Sequence, residues 1–204
     1  EEYVQDLRAG FKGFVEELMT RSPQSQVALW EFGQAALRIK DFTNDAAAMQ
    51  KEVARIFPKP KAPSVLLEAL YATSEALSKV PSPRRAIVAL NLEPGDEQSA
   101  QQPKKINESL MKSRAQVWSL SVQKGALKNA PRDVVLNTLV RNAGGRREYI
   151  VTQQAIEGYL RLYAAGLAAQ YELTYARPAG KPQVVQTGAR RPGVKVIAGI
   201  FAPQ

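Results

Sequence analysis

Short, almost uninterrupted apolar runs recur along this chain, separated by longer stretches whose apolar residues fall at helical spacing. "VALWEF" (27–32), "RRAIVALN" (84–91) and "VWSLSV" (117–122) are too short for buried helices and too uniformly apolar for strands with one face in water. Runs of this kind suit strands covered on both faces, the usual condition of a parallel sheet. "ALRIKDF" (36–42) alternates Leu37 and Ile39 against Arg38 and Lys40 and reads as a short edge strand, and "EYIV" (148–151) as another short strand.

The intervening stretches are amphipathic. Val4, Leu7, Phe11, Phe14, Val15 and Leu18 define one face of a helix over residues 2–20. Asn44 or Asp45 can cap a helix reaching about Ile56. The prolines of "FPKPKAP" (57–63) then forbid regular structure, and Ser64 opens a second strong helix. Further helices are expected over 103–115, over 131–144 with Pro131 in the first turn and a glycine stop, and from a Thr152 cap through Leu167. Strands separated by helices imply right-handed crossovers. The fold class is therefore α/β, a doubly wound and mostly parallel sheet with helices on both faces. After residue 169 the pattern changes: "YELTYARP", "QVVQTG" and "GVKVIAGIF" are joined by Gly and Pro turns without helices. Residues 1–169 read as the α/β domain and 170–204 as an antiparallel β extension.

Composition narrows the chemistry. The 204 residues contain neither Cys nor His, which removes Ser-His-Asp and Cys-His catalysis, the usual zinc sites and disulfides together. Lack of cysteine suits an oxidising compartment. The 28 Lys and Arg against 19 Asp and Glu leave a net charge of +9, which points to an anionic partner such as nucleic acid, a cell envelope or an acidic protein. No apolar run approaches the roughly 18–20 residues of a membrane span. The first residue is Glu1, so an upstream segment is expected.

Four stretches carry a resemblance. "QVALWEFG", "KAPSVLLEALYAT", "RRAIVALNLEPGDEQS" and the tail "QYELTYARPAGK…RRPGVKVIAGIFAP" resemble the von Willebrand factor A (VWA) fold, in the bacterial VWFA-related type found in secreted proteins. That family holds Mg²⁺ or a similar ion through Asp-x-Ser-x-Ser after its first strand, a later Thr, and an Asp after its fourth strand. Here the first strand and Asp-x-Ser-x-Ser are absent, Ser64 stands at the Thr position, and the Asp gives way to Leu92 or passes its role to Asn91, Glu93 or Asp96. The resemblance thus implies a degenerate metal site formed by Ser64, Asn91, Glu93 and Asp96, with no cofactor unless an upstream segment supplies ligands for Mg²⁺ or Ca²⁺. It also implies a missing central strand, expected from an upstream segment or from another chain.

Each feature has a plainer reading beside it. Glu93, Asp96 and Glu97 also make a solvated turn around Pro94-Gly95, and Ser64 also makes a helix N-cap. Trp30 and Trp118 lie in strands as core residues, not interleaved with basic ones as stacking platforms would be. Arg177, Lys181, Arg190, Arg191 and Lys195 form either an anion- or partner-binding cluster or charged strand edges that discourage aggregation. "NAGGRR" (142–147) lacks phosphate-loop spacing and follows a helix, where glycines are stops. The expected function is a non-enzymatic, exported (periplasmic or extracellular) protein-binding or assembly module without a small-molecule substrate. The alternative is a basic envelope- or nucleic-acid-associated protein acting through charge.

Overall fold

The apolar runs become strands, and the helical stretches cover them. The computed structural model describes residues 3–57, 63–92, 97–123, 130–171 and 184–200. In it β3 (Arg85–Leu92), β4 (Ala115–Val122) and β5 (Gly145–Ile150) form a parallel sheet in the order β3-β4-β5, with Asn91 opposite Ser121 and Ser121 opposite Tyr149. Because side chains alternate across a strand, the sheet feeds two cores. Leu90, Trp118, Leu120 and Val122 meet α1 (Val4–Arg21) and α6 (Ile156–Ala168) on one face. Ile87, Ala89 and Val117 meet α3 (Leu66–Leu77), α4 (Pro103–Ser113) and α5 (Ala130–Ala143) on the other. The architecture is α/β with helices on both faces of a parallel sheet.

Two details fix the α1–α6 layer. The helices cross so closely at Gly10 that a Cβ there would lie 2.6 Å from Ile156 Cγ2. Tyr163, fully buried, donates from its hydroxyl to Ser119 O at 3.0 Å and sets its ring edge-on to Trp118 at 5.1 Å. Burial pushes the Tyr163 phenol well above its ordinary range, with Glu148 adding to the effect.

β1 (Val27–Phe32) and β2 (Ala36–Thr43) do not join this sheet. They form a separate antiparallel pair, turning from Phe32 to Ala36. α2 (Ala46–Val53) follows, capped by Asp45, whose Oδ1 accepts from Ala48 N at 3.0 Å. The expectation that "VALWEF" is a fully covered strand needs correction: only Leu29 of its six residues is buried. The reason is positional. Its β2 side is paired, but no described strand hydrogen-bonds its other edge. Leu37 and Ile39 on β2 are likewise exposed, at 51% and 43%, so their alternation marks an edge without an inner face.

The expected C-terminal extension lies partly outside the described residues. Within 184–200, Val185 N donates to Ile200 O at 2.8 Å, and no regular strand runs through the segment. Its end rests on the turn after α5, where the backbone of Ala198 and Gly199 fills the space that a Cβ on Gly144 would take. Gly144 itself has φ +73°, the left-handed helix stop expected of the "NAGG" stretch.

Candidate functional site

The carboxyl end of β3 is where the sequence places its candidate ligands, and the structure divides them. Asn91 is 3% exposed and closes β3 beside Ser121. Ser64 lies before α3 and makes a one-residue parallel bridge to Glu97, reinforced by Gln98 N donating to Ser64 O at 2.7 Å. Glu93 and Asp96 lie outside the described residues. Among the described residues, no group of three or more Asp or Glu is placed to hold a metal ion.

The acid that does enter the site is Glu97. Its Oε2 accepts from Ser64 Oγ at 3.3 Å, and its Oε1 accepts from Leu67 N at 3.2 Å and from Ser99 Oγ. Ser99 Oγ in turn accepts from Glu68 N at 2.9 Å. The first amides of α3, which no intrahelical carbonyl can satisfy, are thus capped by a different loop. This corrects the reading of Ser64 as N-cap. The N-cap position is Val65, which has no polar side chain, and the Ser64 hydroxyl is engaged by Glu97. Carboxylate charge at a helix N-terminus is favourable, and here it fills a place where a free anion could otherwise sit. Thr152 takes the N-cap position of a 3₁₀ turn (Gln153–Ala155) ahead of α6 but makes no side-chain cap bond, and the N-cap of α6 itself is Ala155.

The second feature is a slot that the sequence did not disclose as a cavity. It measures about 1270 Å³ and runs between β1 and β3 along their full lengths. Leu7, Phe14 and Leu18 of α1 wall one side, and Leu66, Leu70 and Leu77 of α3 the other. Ser64 and Asn91 stand together on its lining. α3 touches β1, β2 and β3, spanning the slot on its own face. The volume exceeds the ~300–1,000 Å³ of ordinary small-molecule sites. The signal was present in the residues: both "VALWEF" and "RRAIVALN" are runs that need a strand on each side, and the described chain gives each only one.

The basic cluster is only partly placed. Arg190, Arg191 and Lys195 are exposed and pair with no acid among the described residues, while Arg177 and Lys181 lie outside them. Arg146 and Arg147 of "NAGGRR" serve structure. Arg146 lies over the Trp118 ring at 5.9 Å, and Arg147 donates to Asp133 Oδ1 at 2.5 Å and Asn137 Oδ1 at 2.8 Å. Trp118 is a core residue, 6% exposed, while Trp30 is partly buried with Arg38 over its ring at 5.9 Å.

No family model matches the chain, and no curated protein matches it. Solved structures do. A von Willebrand factor type A protein from Catenulispora acidiphila superposes with a TM-score of 0.62 at 12% identity, over 81% of this chain and 38% of that one. BatB from Bacteroides thetaiotaomicron gives 0.58 at 13% identity, over 82% and 89% of the two chains. The SpRpn10 VWA domain gives 0.56 at 13% identity, over 76% and 80%. The chain therefore spans well under half of the Catenulispora protein and most of the two smaller ones. With the layers, the parallel sheet and the carboxyl-end loop already in place, these likenesses identify the fold, which is that of the von Willebrand factor A type.

Proposed function

We propose that this domain is a non-enzymatic protein-protein binding or assembly module, working outside the cytoplasm through a face whose metal site is degenerate. The observation that carries the reading is the Glu97 bridge. At the sheet's carboxyl end, where open α/β sheets present their ligand sites, the hydroxyl of Ser64 and the first amides of α3 are engaged by Glu97 and Ser99 of the chain itself. What this end offers outward is a braced loop, with Gln98, Ala100 and Gln102 exposed on a backbone fastened to Ser64. A rigid, exposed loop loses little ordering entropy on binding, which favours recognition of a preformed protein surface. The net charge of +9 steers such a module toward acidic partners. Freedom from cysteine suits an exported place of work.

A photo-crosslinking residue at Gln98, compared with one at Lys112 near the other end of α4, tests this in the native host. The expected result is one defined protein adduct from the Gln98 position that persists at high salt and is absent from the Lys112 position. Adducts to nucleic acid alone, lost steeply as salt rises, would assign the charge-driven role instead. Equal adducts from both positions would remove the carboxyl-end face from the account.

A further inference from the structure

We infer that the end of the sheet opposite the Glu97 loop docks the protein on an anionic lipid bilayer. The topology gathers cations there. In a parallel sheet each crossover helix ends where the next strand begins, so the last turns of α3, α4 and α5 share one end with the starts of β3, β4 and β5. Lys79 follows α3, Arg84 precedes β3, Lys112 lies in the last turn of α4 and Arg141 in that of α5. All four are exposed, and none pairs with an acid among the described residues. α3 packs on α4 and α4 on α5, which sets these cations in a row; at ~8–10 Å between helix axes the row spans about 20 Å. Residues 76–86, 109–116 and 138–147, the three connections at this end, contain no acid. Glu68, Asp133 and Glu157 lie instead in the first turns of α3, α5 and α6, at the other end. A cation at a helix C-terminus favours the macrodipole, which accounts for Lys112 and Arg141 one at a time. It does not account for Arg84 ahead of a strand, nor for what the tail adds.

The tail brings charge and apolar surface to the same end. The bond from Val185 N to Ile200 O closes a loop whose base rests on the turn between α5 and β5. The loop turns at Gly193, φ +76°, and exposes Arg190, Arg191 and Lys195 within a stretch, 173–204, that contains no acid. Val194, Val196 and Ile197 stand beside these cations, 48%, 37% and 39% exposed. Tyr171, also exposed, belongs to this end because the neighbouring Gln170 donates from Nε2 to Gln116 Oε1 at the start of β4. Cations alone suit any polyanion. Apolar side chains held among them suit a lipid interface, which takes basic groups at its phosphates and apolar groups just beneath them. A nucleic-acid duplex offers phosphates to the cations but nothing for Val194, Val196 and Ile197 to enter. The inference is independent of the binding role proposed above, since Gln98 lies at the opposite end and a docked domain presents it outward.

Cosedimentation with lipid vesicles tests it. The protein should bind vesicles containing about 30% phosphatidylglycerol at least about tenfold more tightly than vesicles of phosphatidylcholine alone. Each basic residue near an anionic surface contributes about fivefold, so Arg84→Gln, Lys112→Gln and Arg141→Gln together should weaken binding at least about twentyfold. Lys12→Gln, Lys104→Gln and Lys105→Gln, an equal loss of charge away from this end, should weaken it less than about fivefold. Val194→Ser, Val196→Ser and Ile197→Ser together should weaken it at least about tenfold, because apolar surface no longer enters the interface. On the unmodified protein, bound vesicles should slow amide exchange in residues 78–84 and 190–197 at least about threefold and leave residues 97–102 unchanged. Equal binding to both kinds of vesicle, an equal loss from the two lysine-arginine triples, no loss from the serine triple, or unchanged exchange at this end would overturn the inference. So would tighter binding to duplex DNA or to polyglutamate than to the anionic vesicles at one ionic strength, which would assign the face to nucleic acid or to an acidic protein.

Discussion

Replacing Glu97 with Ala removes one carboxylate and, with it, the acceptor for Ser64 Oγ, Leu67 N and Ser99 Oγ. A hydrogen bond to a charged group contributes about 1.5–3 kcal/mol net, but these three share one carboxylate and two of them are long, so they do not sum. The helix-dipole contribution at the start of α3 adds about 0.3–1 kcal/mol. A total loss of about 2–3 kcal/mol follows. For a chain of 204 residues, where each kcal/mol lowers Tm by about 2–4 °C, that is a fall of roughly 5–10 °C. Glu97→Gln keeps an acceptor and loses the charge, so it should cost about 1 kcal/mol. Thermal and urea unfolding of both variants, with exposed Gln98→Ala as control, measure these differences. A cycle with Ser64→Ala should give a coupling of about 0.5–1.5 kcal/mol, because the two side chains are bonded. A Glu97→Ala variant no less stable than Gln98→Ala, or zero coupling to Ser64, would show that Glu97 does not close the site.

Three further substitutions test the helical layer. Tyr163→Phe removes the phenol whose folded-state ionisation is pushed up from its ordinary value of 10.0, mainly by burial. The folded protein holds this proton where the unfolded chain releases it, so the contribution is whole below about pH 10 and is lost as pH rises above it. Wild-type stability should therefore fall more steeply than that of Tyr163→Phe above pH 10, measured by urea unfolding across pH; parallel curves would contradict the burial. Gly10→Ala puts a Cβ 2.6 Å from Ile156 Cγ2, for an overpacking cost of about 1–3 kcal/mol, partly offset by better helix propensity. Gly158→Ala on α6, with nothing within 4 Å of the new Cβ, should instead stabilise by about 0.5–1 kcal/mol. Equal effects in thermal melts would mean that α1 and α6 do not cross closely at Gly10.

How far the sequence spoke depended on whether a residue's fate was set locally. The strands containing Ile87 and Val117 could be read because continuous apolar character has few outlets in so short a run, and both face a helical layer. Asp45 was legible as a cap because its bond to Ala48 spans three residues of one chain. Glu97 was not, because the amide it caps is 30 residues away in sequence, and no local pattern separates it from a solvated acid. "VALWEF" was misjudged in burial for a similar reason. Its apolar run records a neighbour on each side, while the described chain supplies only β2. The resemblance to the VWA fold anticipated that gap, but the residues alone did not give it walls or a volume.

The central claim, that β1 and β3 stand one strand apart, has a direct chemical test because the chain contains no cysteine of its own. Cysteine pairs, one on β1 and one on β3, are introduced throughout the two strands and exposed to mild oxidant. Strands separated by a strand's width lie about 9–10 Å apart, beyond the ~7 Å Cα limit for a disulfide, whereas directly paired strands lie about 5 Å apart. The account predicts that no β1–β3 pair closes, while control pairs across β1–β2 at Trp30 and Arg38, which are register partners, do. Closure of β1–β3 pairs in a consistent register would show that the two sheets join directly and that no strand belongs between them.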